Sequence, residues 1–290
     1  MSEPAVAQSN IEPLIQKLDA EIRAGNLNFP VLPDVALRVR DMASGDQGGA
    51  LDLAKIIEVE PALSARILKM ANSPMFAGLS EIRSLHQAIG RLGTGMVVAV
   101  VVGSAGKDMF QSEDPRLKKV LKESWTRSVF ASATATQIAD LAGIEREQGF
   151  LGGLLYGCGQ PILAECSERL TKEGSLPRPA QDPLMQAIYE LSPKAGARLM
   201  SRWGLPTPLV HAIEHQRDLA ACPEEHQMMC AVVGVSAVVG EGIAAADEEA
   251  VIAEAVTASQ AGQALHLDEE TLAMIIETAT VNGRDISQLI

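Results

Sequence analysis

Apolar residues recur at helical spacing along most of the chain. Ile11, Leu14, Ile15, Leu18 and Ile22 fall at i, i+3, i+4, i+7 and i+11, which is one stripe of an α-helix. Leu32, Val35, Ala36, Val39 and Met42 repeat the pattern. So do Ala62, Leu63, Arg66, Ile67 and Met70, and Leu117, Val120, Leu121, Ser124 and Ser128. Asp114-Pro115, Asp182-Pro183, Ser192-Pro193 and Thr207-Pro208 each set a capping side chain before a proline. A proline suits the first helical turn, where its missing N–H costs nothing, so each pair predicts a helix start. Only Met96 to Val102 (MVVAVVV) reads locally as a strand. No alternating partner is visible and Thr94 can cap a helix there, so a buried helix is the better reading. The expected fold is all-α.

Composition narrows the class. With 47% apolar residues in 290, the chain can bury a large core and is not disordered. Aromatics make up only 3%, so that core must be aliphatic. The net charge of −13 is unevenly placed. Residues 1–220 carry 23 basic and 25 acidic side chains, whereas residues 221–290 carry one basic residue, Arg284, and 12 acidic ones. Binding to a phosphate backbone is therefore not expected, and no nucleic-acid partner is inferred. Cys158, Cys166, Cys222 and Cys230 form no CxxC pair and read as reduced thiols. Met1 to Asn10 is polar and lacks the apolar run of a signal peptide. Met228 to Ala246 is the longest apolar window, but its acidic flanks favour a buried helix over a membrane span. A soluble, cytoplasmic protein is expected, with no membrane partner.

Few motifs carry chemistry. The glycines between Gly90 and Gly106 match neither GxGxxG nor a Walker loop, and read as turns and close helix contacts. The surroundings of Ser236 lack the second glycine of a nucleophile elbow. His211-Ala212-Ile213-Glu214-His215 has H-x-x-E-H spacing, which sets two imidazoles on one helix turn and can chelate Zn²⁺. It needs a third ligand, and the downstream acids offer no distinctive one, so two ordinary helix histidines are the simpler reading. Arg116, Lys118, Lys119, Lys122 and Arg127 form a basic stretch, and the first four are candidates for docking an acidic partner, including this chain's own C-terminal part. Polar breaks fall at Gly106 to Pro115 and Lys172 to Pro183.

An ordered series of segments resembles the HDOD domain, an HD-related output domain of bacterial signalling proteins. It runs through Leu32-Pro33, then IIEVEPAL at 56–63 with Pro61, LKMANSPMF at 68–76 with Asn72 and Ser73, and SLHQAIGRLG at 84–93 with Gly93. It continues through Trp125-Thr126-Arg127-Ser128, GFLGGLLYGCG at 149–159, and GARLMSRWGLP at 196–206 with Trp203 and Pro206, and closes near Ala212-Ile213-Glu214-His215. Residues 27–218 are covered. The resemblance implies an N-terminal helical lobe packed on a lobe related to HD-type metal phosphohydrolases. The implied organisation is an N-terminal helix at 1–26, a helical lobe at 27–110, an HD-like lobe at 111–220 and an acidic helical part at 221–290 packed on that lobe.

HD enzymes hold divalent metal with several His and Asp side chains. At the matching positions this chain has Arg127, Tyr156 with Gly157, Ser192, and His215 followed by Gln216. One surviving imidazole does not bind a divalent ion usefully, and a permanent guanidinium repels a cation. Arg127 could instead fill the vacated space by pairing with an acid such as Glu165. The resemblance thus implies no metal at that centre, no cofactor and no phosphohydrolase activity. It also makes the H-x-x-E-H match coincidental. The implied function is a stand-alone regulatory module that acts by binding other signalling proteins. The alternatives are a metal-dependent phosphohydrolase with an unusual ligand set and a small-molecule sensor. Asn72 is read as a left-handed helix end before Pro74, with a ligand site between the lobes as the rival. The oligomeric state stays open.

Overall fold

The computed structural model describes residues 11–44, 49–76, 78 and 80–290, and every regular element among them is helical. The Met1 to Asn10 reading and the start of the first expected segment lie outside the described residues.

Helix α1 (Glu12–Ala24) buries Leu14, Leu18 and Ile22 of the predicted stripe, with Ile11 and Ile15 half-buried beside them. It packs against α9 (Gly159–Lys172) and α10 (Gln181–Arg202), far along the chain. Arg169 holds it through Glu21 at 3.0 Å, and Lys194 through Asp19 at 3.2 Å. The next five helices pack on one another: α2 (Asp34–Ser44), α3 (Ala50–Glu58), α4 (Pro61–Ala71), α5 (Leu85–Leu92) and α6 (Thr94–Lys107). The MVVAVVV run lies wholly inside α6. Ser84 caps α5 by accepting from the Gln87 N–H, and a 104° bend at Gly93, with φ +81°, turns the chain into α6.

The centre of the molecule is the 28-residue helix α7 (Pro115–Ala142). Its buried face is built from small residues, among them Ala131, Ser132, Ala135 and Ala139. Three helices exploit this. Gly149 and Gly153 of α8 (Arg146–Leu155) sit on the Ala135 and Ala131 carbonyls, where a Cβ would come within 2.6 and 2.4 Å. Gly240 of α12 (Gln227–Ala245) lies against the Arg127 carbonyl, and Gly283 of α15 (Glu269–Leu289) against Phe130. Close backbone approach gives dense packing without aromatic bulk. The remaining elements are α11 (Thr207–Glu214), 3-10 turns at Leu219–Ala221 and Glu224–His226, α13 (Glu249–Ala258) and α14 (Gln260–Leu265). The apolar window predicted as a buried helix is α12. It is long and apolar enough to cross a membrane, but 67% of its apolar window is buried in protein.

Helices α12 and α15 pack on α7, and α15 also reaches α4. There the Leu289 carbonyl accepts from Arg66 and the Ile290 carbonyl from Lys107. No ion pair within 4 Å among the described residues joins the basic face of α7 to residues 221–290, so close small-residue packing makes most of this contact.

Four cap readings need correction. Asp114 does cap α7, accepting from the Arg116 N–H at 3.0 Å with Pro115 in the first turn. Thr207 does not cap: it is already the first residue of α11, with Pro208 in the first turn and Pro206 at the cap position. Asp182-Pro183, however, lies within the first turn of α10, whose cap is Ala180. Ser192-Pro193 lies in the middle of α10 and starts no helix. Asn72 also departs from expectation, with φ −102° and ψ 0°, not left-handed. Its amide donates to the carbonyls of Leu68 and Ile82 and accepts from the Ile82 N–H. Both amide hydrogens and the amide oxygen are thus engaged in pinning the chain after α4.

Candidate functional site

The positions expected to be degenerate metal sites come from α7, the end of α8, α10 and the end of α11. Tyr156, just past α8, is buried at 1% exposure. Its backbone carbonyl accepts from the Gln216 amide at 3.1 Å, and the same amide donates to the Ile213 carbonyl at 2.9 Å. Its phenol points at Glu241 of α12, with Oη 3.5 Å from the carboxylate. Burial raises the Tyr156 pKa well above that of an ordinary phenol, and the nearby Glu241 charge adds to the effect. Burial likewise raises the Glu241 carboxyl, against the opposing pull of Arg217 and Arg127.

Pro193 explains why Arg217 is there. A proline inside a helix supplies no N–H to the carbonyl four residues back, here Tyr189. Ser192 Oγ fills part of the gap by donating to the Tyr189 carbonyl at 3.0 Å. Arg217 donates to the same carbonyl, and its guanidinium lies over the Tyr189 ring. At the same place α9 enters α10: a Cβ on Gly159 would fall 1.9 Å from the Ser192 carbonyl.

Glu241 forms the wall between two cavities. One, of about 620 Å³, is lined by Arg127, Thr126, Glu241, Asp247 and apolar residues of α12 and α13. The other, of about 260 Å³, is lined by Tyr189, Gln216, Arg217 and Glu241 together with residues of α12 and α14. The acid facing Arg127 is therefore Glu241. Glu165, suggested from the sequence, is exposed on α9 and makes no ion pair with Arg127 among the described residues.

The HDOD domain pattern matches residues 29–219 of this chain. The chain belongs to the HDOD domain family. A relative from Treponema pallidum (strain Nichols), itself uncharacterised, is 25% identical over 237 residues, covering 79% of this chain and 45% of that protein. The chain thus spans less than half of that relative's length. Several solved structures share the fold, and two illustrate it. One, from Shewanella amazonensis SB2B, is named by assignment only as a metal-dependent phosphohydrolase; it has a TM-score of 0.74 at 19% identity and covers 95% of this chain and 99% of its own. The other, from Marinobacter aquaeolei VT8 and assigned by name to signal transduction, has a TM-score of 0.61 at 21% identity and covers 96% and 66%.

An HD metal centre does not fit this member of the HDOD family. Gly157 offers no donor, and a Cβ there would meet the Ser124 and Ser128 hydroxyls at 3.1 and 3.3 Å. Those two hydroxyls and Gln216 Oε1 are buried without a partner, a set of neutral oxygens that suits water better than a divalent ion. Ser192 is spent on its own helix, and Arg127 adds positive charge. The ring of His215 does not join this group. It stacks on His211 at 6.0 Å, while Gln216 takes the inward position. What the group can do chemically is hold a buried carboxyl between two guanidinium groups and a neutral phenol.

The family-motif residues prove to be architectural. Pro33 precedes α2, Pro61 opens α4 and Pro206 precedes α11. Trp203 donates from its indole to the Pro30 carbonyl at 2.9 Å, and its own carbonyl accepts from Arg40, so it ties α10 to the start of the N-terminal helices. Of the basic stretch, Arg116 leaves the docking face. It pairs with Asp114 at 2.7 Å and donates to the Pro179 carbonyl. Lys118, Lys119 and Lys122 stay exposed. Glu241 and Arg217 were missed from sequence. The only signals were a lone acid inside an apolar helix and a proline inside a helical stripe.

Proposed function

We propose that this chain is a non-catalytic signal-transduction module that acts by binding other proteins in the cytoplasm. The observation that carries this reading is the set of side chains at the former metal centre: Arg127, Tyr156, Gly157, Ser192 and Gln216 offer no converging imidazoles or carboxylates. The Gln216 amide nitrogen is held by the Tyr156 and Ile213 carbonyls, and the buried Tyr156 phenol is turned to Glu241. Membership of the HDOD family supports a signalling role. Four buried thiols support a reducing compartment. Lys118, Lys119 and Lys122, exposed on one face of α7, are the proposed contact for an acidic partner surface.

The test is hydrolysis of a phosphodiester and a phosphomonoester by the purified chain with added Mn²⁺, Mg²⁺ or Fe²⁺. The expected result is no turnover above a heat-denatured control. Metal-dependent turnover that is lost in Tyr156→Phe or Glu241→Gln would establish the rival reading, a phosphohydrolase with an unusual ligand set. Reversing the charge of Lys118, Lys119 and Lys122 together is expected to leave stability within about 0.5 kcal/mol, as for surface changes generally, while weakening partner binding.

A further inference from the structure

Three of the chain's five histidines converge on one spot, although they lie in two different elements. His211 and His215 are one turn apart on α11, with ring centroids 6.0 Å apart and planes 14° apart. His226, from the second 3-10 turn, also stacks on His211, at 5.0 Å and 22°. Glu214 lies on the same turn, and one donor atom each from His211, Glu214 and His215 lie within 4.8 Å of one another.

One donor is uncommitted: His211 Nδ1 is buried with no partner. His215 Nε2 lies 4.0 Å from Glu214, inside the cluster, and His226 Nε2 lies 3.5 Å from Glu225. A buried ring nitrogen without a partner is costly, so His211 Nδ1, beside a second imidazole and a carboxylate, calls for a ligand that uses its lone pair. Imidazole and carboxylate together suit a borderline divalent ion, with metal–nitrogen distances of about 2.1 Å and donors about 3.3 Å apart in a tetrahedral set. Glu214, at 42% side-chain exposure, and His215, at 21%, have room to close that gap. The Cys230 thiol is turned away, donating to the His215 carbonyl at 3.1 Å.

We propose that His211, Glu214 and His215 bind one Zn²⁺ ion, with His226 supporting the site by its stack on His211. That support comes from beyond the family-matched segment. His226 immediately precedes α12, so an ion that fixes the His211 ring also steadies its stack with the entry of the acidic helical end. The site is a structural clamp, separate from the former HD centre.

The test uses the full chain stripped with a chelator and titrated calorimetrically with Zn²⁺. The wild type is expected to bind one ion saturably and to unfold at a higher temperature with it. His211→Gln and His215→Gln should each weaken binding at least ten-fold, and His226→Gln several-fold. His86→Gln and His266→Gln should bind as the wild type does. Matching far-UV circular dichroism confirms that each variant is folded, and a misfolded Gln variant is replaced by the Asn one. The proposal is overturned if the wild type gives no saturable one-to-one isotherm. It is equally overturned if the isotherm survives the His211/His215 double change, or depends on Cys222 and Cys230 instead. None of these outcomes depends on the phosphoester assays.

Discussion

The guanidinium of Arg217 lies 3.5 Å above the ring centroid of Tyr189 and donates a hydrogen bond to that residue's own carbonyl. The carbonyl is available because Pro193, four residues on, has no N–H to offer it. A backbone defect in α10 thereby positions a cation beside Glu241, on a helix 48 residues further along the chain.

Arg217→Ala is expected to destabilise the protein by about 1 kcal/mol, the sum of a cation–π contact and a charge-assisted hydrogen bond at a partly exposed position. Pro193→Ala restores the helical donor to the Tyr189 carbonyl. The cost of losing Arg217 should therefore shrink by about 0.5 kcal/mol or more in that background. A double-mutant cycle in urea measures it, and strict additivity would show that the two residues are not coupled.

Glu241 predicts a pH dependence. Its carboxyl is raised by burial, so the folded state holds the proton to higher pH than the unfolded chain does. Between the ordinary glutamate value and the raised one, the folded state binds more protons, and stability falls as pH rises through that interval. Glu241→Gln cannot titrate. Wild-type stability relative to this variant should fall across the interval and level off above it. Urea midpoints at several pH values check this, and a flat difference would contradict it.

Asp114 has the opposite sign. The Arg116 guanidinium and backbone N–H hold its carboxyl down to about 2. The stabilisation it provides is complete above the usual carboxylate range and is lost as pH falls through about 2. Asp114→Ala should cost about 1 kcal/mol at neutral pH, the usual worth of an N-cap, and the difference from wild type should narrow below pH 3.

Gly159 tests the packing at the proline. A methyl group there would sit 1.9 Å from the Ser192 carbonyl, a backbone atom that cannot move without shifting α10. Gly159→Ala should cost about 3 kcal/mol, the upper range for overpacking, with loss of cooperative unfolding as the extreme outcome. Gly174→Ala serves as a contrast: with φ +73° and no neighbour within 4 Å, it meets backbone strain alone, so its smaller cost isolates the steric part.

The helices were legible because a stripe of aliphatic residues reports its own period. The stripes of α1 and α4 mark their buried faces through Leu14, Leu18 and Ile22 and through Leu63, Ile67 and Met70, although Ala62 at the start of α4 is exposed. The MVVAVVV run was ambiguous because a segment buried on every side loses its period. Ser192-Pro193 misled because a Ser-Pro pair looks the same at a helix start as within a helix whose orphan carbonyl finds other donors. The family positions were likewise legible, since they lie in ordered local motifs. Their partners were not: Glu241 and His226 come from outside the motifs, and local sequence does not specify which distant helix brings a carboxylate to Tyr156 or an imidazole to His211.

From its sequence alone, then, this chain is all-helical and aliphatic-cored and belongs to the HDOD domain family, because period, composition and ordered motifs are local properties. The tertiary structure alone decided that the acidic end packs on α7 through glycines. It alone decided that Glu241 fills the space beside Arg127, and that three histidines meet at the joint before α12. Those outcomes depend on which surfaces fit closely enough to exclude water, and that is settled only when distant helices come together.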